Sequence, residues 1–309
     1  MPASGTPVPV GLLGLAISTA RVAGEMASSS SSSGNASRSW GSPVRLYTSG
    51  EDAYVARLNS SNGQLIWNAF LGGSMDDFGW GIAVDGNSNA YVVGTSAASW
   101  GSPIRLYTNG EDAYVARLDS SGELTWNTFL GGNGMDRGRS VSVNESGAVY
   151  IAGYSDSSWG SPNRIFTSGE DAFAVRLNTS GELIWNTFLG GEGIDYGYAI
   201  AADGEGSVFL SGNSDAAWGS PIRPYTAGWD AIAARLDSNG MLAWNMFLGG
   251  VAKDECRSLS MDSYGNLYGA GYSEASWGSP VRSFTGNLDS FAVKIPPYQF
   301  SLFLPILLR

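Results

Sequence analysis

The sequence contains no histidine and a single cysteine among its 309 residues. Without histidine, a Ser-His-Asp or Cys-His catalytic system cannot form, and histidine-bound zinc or haem is excluded too. The lone Cys256 excludes an intrachain disulfide framework and a cysteine-cluster metal site. The apolar run Phe300–Leu308 is far too short to span a bilayer, so no transmembrane segment is expected. We therefore expect neither a cofactor nor a bound metal.

Charged residues are scarce, at 15% of the chain, and the acidic ones dominate. The 17 Lys and Arg against 28 Asp and Glu give a net charge of −11. Affinity for nucleic acid comes from cationic side chains that displace phosphate counterions, so a nucleic-acid partner is not expected. Glycine, by contrast, supplies 43 residues. This composition favours short strands and tight turns over long helices.

The element Trp-Gly-Ser-Pro recurs five times, and the residues around it recur in the same order. Successive copies are 60, 59, 59 and 59 residues apart, and they begin at Trp40, Trp100, Trp159, Trp218 and Trp277. A fixed period of this length is typical of repeat architectures in which each unit packs against its neighbours. The chain is therefore predicted to be an array of similar units.

Each unit contains four short runs of strand-forming residues. In one copy these are Ile82–Val84, Tyr91–Val93, Tyr114–Leu118 and Leu124–Leu130, and Asp, Asn, Ser and Gly separate the paired runs. Four antiparallel strands at a fixed period predict an all-β fold, a β-propeller of four-stranded blades. A parallel β-helix would need a much shorter repeat, and an immunoglobulin-like array would need about seven strands per unit.

Five copies of the connector predict five blades; the alternatives are four blades or part of a larger ring. Residues 1–38 hold degenerate first-blade strands within Gly14–Gly24, and a serine run, Ser28–Ser33, interpreted as a flexible linker or an insertion. The apolar run Val8–Ala20 could instead be a weak secretory segment. Residues 39–309 hold the propeller repeats and end in a diverged final strand within Phe300–Leu308.

Three motifs together resemble the SBBP bacterial β-propeller repeat. They are the turn and strand "DGNSNAYVVG", the connector "WGSP" and the third strand "EDAYVARL". The resemblance extends from about Trp40 to Lys294. It implies a secreted or cell-surface protein, hence an extracytoplasmic location, and an interaction scaffold without a common enzymatic activity.

Residues that recur in every unit are interpreted as structural. The Asp-Gly-Asn clusters are predicted to stabilise turns rather than bind calcium, because the alternating ligands and terminal Glu of a calcium loop are missing. A recurrent aspartate before the first strand is expected to cap its own backbone, with a ring of cation ligands as the alternative. The fourth-strand tryptophans are predicted to pack between blades. The arginine after each Trp-Gly-Ser-Pro is expected to pair with acids such as Asp52, Asp112 and Asp171.

Positions that differ between units are free to serve binding. The largest change falls just before the first strand, at Trp80, Arg139, Tyr198 and Arg257, which are expected to surround one mouth of the channel. Aromatic rings with arginines suit an acidic glycan or an acidic protein loop, although these side chains could equally fill the space between blades. We therefore expect a monomeric, non-catalytic binding scaffold. The alternative is a carboxylate-dependent polysaccharide hydrolase or lyase.

Overall fold

The computed structural model describes residues 18–20 and 29–297, with side chains from residue 33 onwards. Every regular element in this part of the chain is a β-strand. The strands are antiparallel within each unit and follow one another in chain order, as an up-and-down sheet does. The all-β prediction with four strands per unit is confirmed for units 1 to 4.

The strands fall into five units. Unit 1 comprises β1 (Ser18–Ala20), β2 (Ser29–Ala36), β3 (Asp52–Asn59) and β4 (Leu65–Leu71). Unit 2 comprises β5 (Asp77–Val84), β6 (Ala90–Ser96), β7 (Asn109–Leu118) and β8 (Leu124–Leu130). Unit 3 comprises β9 (Asn133–Val143), β10 (Val149–Ser155), β11 (Asp171–Leu177) and β12 (Leu183–Leu189). Unit 4 comprises β13 (Asp195–Ala202), β14 (Val208–Ser214), β15 (Asp230–Leu236) and β16 (Leu242–Leu248). Unit 5 has β17 (Asp254–Met261), β18 (Leu267–Ser273) and β19 (Asp289–Ile295).

Short polar turns join the first and second strands. In unit 4 the Asp203 carboxylate accepts hydrogen bonds from the backbone N–H groups of Glu205 (3.0 Å) and Ser207 (2.8 Å). Side-chain-to-backbone bonds of this kind fix a turn without help from a metal. In the other units the side-chain oxygen of Asp85, Asn144 or Asp262 likewise accepts from the backbone N–H four residues on, which confirms the turn interpretation.

The residues after Trp-Gly-Ser-Pro run along the outer edge of the fourth strand. In unit 2 the N–H of Ile104 donates to the carbonyl of Asn127 (2.9 Å), and the N–H of Phe129 donates to the carbonyl of Arg105 (3.1 Å). Units 1, 3 and 4 repeat this pattern. An uncovered strand edge is a template for aggregation, so the connector protects each unit on its outer side.

The hydrophobic core lies between units rather than within them. Four clusters of buried side chains occupy the four interfaces between successive units. Between units 2 and 3, for example, Val93 and Val115 of one sheet pack with Val141 on the first strand of the next. The first strands β5, β9, β13 and β17 also lie side by side. Each unit therefore depends on its neighbour for burial, as in other repeat proteins.

The described residues show no closure of the array into a ring, so they leave the number of blades in a ring open. In unit 4 every residue of β14 is buried, whereas β18 alternates between buried and exposed residues. One face of unit 5 thus faces solvent. The predicted final strand within Phe300–Leu308 lies outside the described residues.

The serine-rich segment is not a linker. Residues Ser29–Ala36 form β2, which pairs along its whole length with β3 and places Ser29 opposite Asn59. Backbone hydrogen bonds hold a strand whatever its side chains are, so a low-complexity sequence can complete a sheet whose neighbour supplies the register. The degenerate strand expected within Gly14–Gly24 is present in part, as β1.

Candidate functional site

The four variable positions lie within successive first strands, at the same place in each, and not before those strands as predicted. In each strand the pairing register shifts there, so that one residue has no partner on the second strand. In unit 2, Gly79 pairs with Gly94 and Gly81 pairs with Val93, which leaves Trp80 as the extra residue. Its counterparts are Arg139, Tyr198 and Arg257. Each predicted site residue is therefore the bulged residue of a β-bulge, a device that redirects a side chain.

The bulges bring these side chains together in pairs across unit boundaries. The guanidinium carbon of Arg139 lies 4.4 Å from the ring centre of Trp80, and that of Arg257 lies 4.0 Å from the ring centre of Tyr198. Cation–π contacts at such distances are favourable. Trp80, Arg139 and Tyr198 are half-buried and Arg257 is exposed. This pairing across unit boundaries was not predicted from the sequence.

Two further tyrosines connect the pairs into one row. Arg139 donates a hydrogen bond from Nη2 to the hydroxyl of Tyr154 (2.6 Å). The ring of Tyr154 lies 4.4 Å from that of Tyr196, which lies 5.9 Å from that of Tyr198. Tyr154 is the penultimate residue of β10, the second strand of unit 3, so differences between first strands do not point to it. We call these six residues the inner row: Trp80, Arg139, Tyr154, Tyr196, Tyr198 and Arg257.

The two arginines of the inner row differ in whether an acidic side chain pairs with them. Arg257 forms an ion pair with Glu255, which also contacts Lys253 at 2.7 Å. Within the described residues Arg139 has no ion pair, and its buried Nε has no hydrogen-bond partner. Burial raises the pKa of Tyr198, so that its ring stays neutral at physiological pH. Arg139 thus carries a positive charge between the rings of Trp80 and Tyr154 without a described ion pair, while the nearby Tyr196 donates to the carboxylate of Glu170 (2.6 Å).

A second recurrent arrangement, the aspartate pair, lies at each junction between units. In the junction of units 3 and 4, the carboxylates of Asp171 and Asp195 both approach the position that a Cβ on Gly190 would occupy, within 2.6 Å. Asp195 accepts a hydrogen bond from the N–H of Gly191 (3.0 Å). The other first-strand aspartates, Asp77, Asp136 and Asp254, bond in the same way to the glycine four residues earlier, which confirms the predicted caps.

Burial dominates the ionisation of these pairs. It raises the pKa of Asp171 to about 6 and that of Asp195 to about 7. The charge of Asp171 raises the pKa of Asp195 further, whereas hydrogen bonds from Thr167 and the charge of Arg164 partly offset the rise at Asp171. In both residues Oδ1 is buried without a hydrogen-bond partner. The side chains are fully buried, so these carboxyls serve the junction rather than a solvent-accessible ligand.

The connector arginines do not pair with the acids that the sequence suggested. Arg164 donates to the carbonyl oxygens of Phe188 (3.0 Å) and Gly190 (2.6 Å), and it lies 5.5 Å from the ring centre of Trp218 in the next unit. Arg45, Arg105 and Arg223 repeat these contacts. The expected ion pairs with Asp52, Asp112 and Asp171 are absent from the described ion pairs. In units 1 to 4 the guanidinium donates to carbonyl oxygens of the fourth strand and of the glycine after it, and this structural role accounts for the recurrence of the arginine.

The fourth-strand tryptophans pack between units as predicted. The indole N–H of Trp67 donates to the carbonyl of Ser120 in unit 2 (3.0 Å), and Trp185 bonds likewise to Ser238 in unit 4 (3.2 Å). Cys256 is fully buried at the position that glycine holds in units 2 to 4, and burial raises the pKa of its thiol. Both features are structural.

Comparison with known proteins identifies the repeat. The family model of the SBBP beta-propeller repeat matches residues 66–99, which run from the fourth strand of unit 1 to the connector of unit 2. The resemblance drawn from the sequence motifs is thereby confirmed. No curated protein matches the chain. Across residues 18–20 and 29–297, no helix has the length and apolarity to cross a membrane, and no three acidic or cysteine side chains are grouped to hold a metal ion.

Proposed function

We propose that this chain, which carries the SBBP β-propeller repeat, supplies five blades and acts as a non-catalytic binding scaffold outside the cytoplasm. The observation that carries the proposal is the inner row. Four of its six members are positions at which the units differ strongly, and the bulges of four successive first strands present these four side chains together. Side chains that served only to build a blade would be the same in each unit.

The chemistry of the inner row favours an acidic partner. Arg139 places a half-buried guanidinium, which has no ion-pair partner among the described residues, beside the rings of Trp80 and Tyr154. A guanidinium binds carboxylates through paired hydrogen bonds, and indole and phenol rings stack on the apolar faces of sugars or on planar groups. We therefore propose an acidic glycan or an acidic protein loop as the ligand. The net charge of −11 argues against a nucleic acid.

The alternative, a carboxylate-dependent hydrolase or lyase, would have to use the aspartate pairs. A carboxyl with a pKa of about 7, such as Asp195, would suit a general acid. However, both side chains of the pair are fully buried, and no sugar could approach either oxygen. The repetition of the pair at four junctions also gives its members like environments rather than the unlike ones that this chemistry needs.

The test is a binding screen followed by substitution in the inner row. The purified chain is screened against acidic glycans and acidic peptides, and the best binder is then measured on Arg139→Gln and on the double variant Trp80→Ala, Tyr198→Ala. We expect both to lose at least tenfold in affinity, with little change in melting temperature because these residues are partly exposed. Tyr264→Ala, which alters a turn tyrosine that is 81% exposed, is the control and should bind normally.

Two results would contradict the proposal. If the double variant loses several kcal/mol of stability, as buried aromatics do, the rings are core and fill the space between blades. If every variant keeps the wild-type affinity for the binder found, the ligand binds elsewhere.

A further inference from the structure

Two tyrosines of the inner row form a close contact across a junction between units. The ring centres of Tyr154 and Tyr196 lie 4.4 Å apart, and the ring planes are tilted by 56°. Tyr154 lies on β10 of unit 3 and Tyr196 on β13 of unit 4. Aromatic rings at this separation touch at their edges. The contact therefore brings together two phenol rings from separate sheets.

The repeat does not require this pair. One tyrosine is the penultimate residue of a second strand, and the other follows the recurrent aspartate of the next first strand. The equivalent pairs are Thr95 with Arg137 between units 2 and 3, and Asn213 with Glu255 between units 4 and 5. Neither pair contains a ring. Since the fold builds these junctions from other side chains, the tyrosine pair is free to have a role of its own.

Tyr196 has a proton acceptor and a route to solvent. Its hydroxyl donates a hydrogen bond to the carboxylate of Glu170 (2.6 Å). Burial and this carboxylate raise the pKa of Tyr196 well above its usual value, so the phenol is protonated at physiological pH. A phenol that loses an electron also gives up its proton, and Glu170 is placed to accept it. Tyr196 is half-buried, so an oxidant can reach it, whereas Tyr154 is only 5% exposed and is reached through Tyr196.

We propose that Tyr154 and Tyr196 form an oxidative cross-linking site, at which a peroxidase with hydrogen peroxide joins units 3 and 4 through a dityrosine bond. Each tyrosine loses one electron and one proton, and that of Tyr196 leaves through Glu170. The two phenoxyl radicals form a carbon–carbon bond between ring positions beside the hydroxyls, and the ring hydrogens displaced there move to the phenolic oxygens. The two electrons and two protons reduce one hydrogen peroxide to two waters. This inference goes beyond the proposed ligand binding and does not rest on it.

The test treats the full-length chain, in dilute solution, with a peroxidase and hydrogen peroxide and maps the products. We expect dityrosine fluorescence, a species with the mass of one chain less two hydrogens, and a linked pair of peptides that contain Tyr154 and Tyr196. Tyr154→Phe and Tyr196→Phe each keep the ring but remove the hydroxyl that coupling needs, so both should abolish this link. Glu170→Gln should slow its formation several-fold, because an amide is a much weaker proton acceptor than a carboxylate.

Two other tyrosines provide the controls. Tyr198→Phe changes the ring that lies 5.9 Å from the ring of Tyr196. Tyr264→Phe removes a tyrosine that is 81% exposed and is therefore a source of links between separate chains. Both variants should form the link within the chain at the yield of the wild type. Thermal unfolding checks that every variant is folded.

Several results would overturn the proposal. One is a wild type whose dityrosine joins only separate chains or only other tyrosines. Another is the addition of oxygen to Trp229, which stacks on Tyr196 at 5.8 Å, without any link. A link of wild-type yield in Tyr154→Phe or Tyr196→Phe, or an unchanged rate in Glu170→Gln, would also contradict it.

Discussion

The same sheet face is buried in units 2 to 4 and exposed in unit 5, although the residues on it are closely similar. Tyr150 on β10 is fully buried, whereas Tyr268 at the same position of β18 is 40% exposed. The two residues are of the same type and stand at the same place on their strands, so the difference in exposure comes from the presence of a neighbouring unit. In this molecule the period of the sequence determines the strand pattern, and adjacency determines which face becomes core.

The largest difference in stability between units 3 and 5 is expected when an aromatic ring is removed from the equivalent sheet face of each unit. Tyr150→Ala should lower the free energy of unfolding by about 3–5 kcal/mol, since it leaves a cavity between units 3 and 4. Tyr268→Ala should cost less than about 1 kcal/mol, since its ring is already partly in water. Chemical denaturation of the two variants measures both values. Equal losses would mean that the unit 5 face is covered in the isolated chain.

The sequence predicts local features of each unit well, and it predicts features that depend on a neighbouring strand or unit poorly. The strand Leu124–Leu130 was predicted with the bounds that the structure has, because apolar residues and flanking turn residues are local features. The four candidate positions were chosen from differences between units, which are visible in the sequence. Their β-bulges were not predicted, because the extra residue becomes visible only when the partner strand is placed. Strand β2 was missed because serine carries little strand preference of its own.

The second prediction concerns the connector arginine. Arg164→Ala removes two hydrogen bonds from a charged donor to carbonyl oxygens and one contact with Trp218, so it should cost about 2–3 kcal/mol. Arg282→Ala should change the free energy of unfolding by no more than about 0.5 kcal/mol, since that guanidinium is exposed. Thermal unfolding of both variants makes the comparison. A large loss for Arg282→Ala would place it in a contact within its own chain.

The smallest effect concerns the aspartate pairs and depends on pH. The pKa of Asp195 is about 7 in the folded protein, raised from 3.8 by burial, so the folded chain holds this proton more tightly than the unfolded chain does. The stability from the proton is therefore complete below about pH 4 and is lost as the pH rises through 7.

Asp195→Asn keeps an acceptor for the N–H of Gly191 and removes the charge. It should raise the free energy of unfolding by about 1–2 kcal/mol at pH 8 and change it little at pH 4, since one pKa unit is about 1.4 kcal/mol and the remaining Asp171 retains part of the shift. The comparison variant is Asp289→Asn, whose half-buried carboxyl occupies the third-strand position of Asp171 in unit 5, where the described residues include no first-strand aspartate of a following unit. It should show no such gain at pH 8, and an equal gain there would locate the effect in the single carboxyl rather than in the junction.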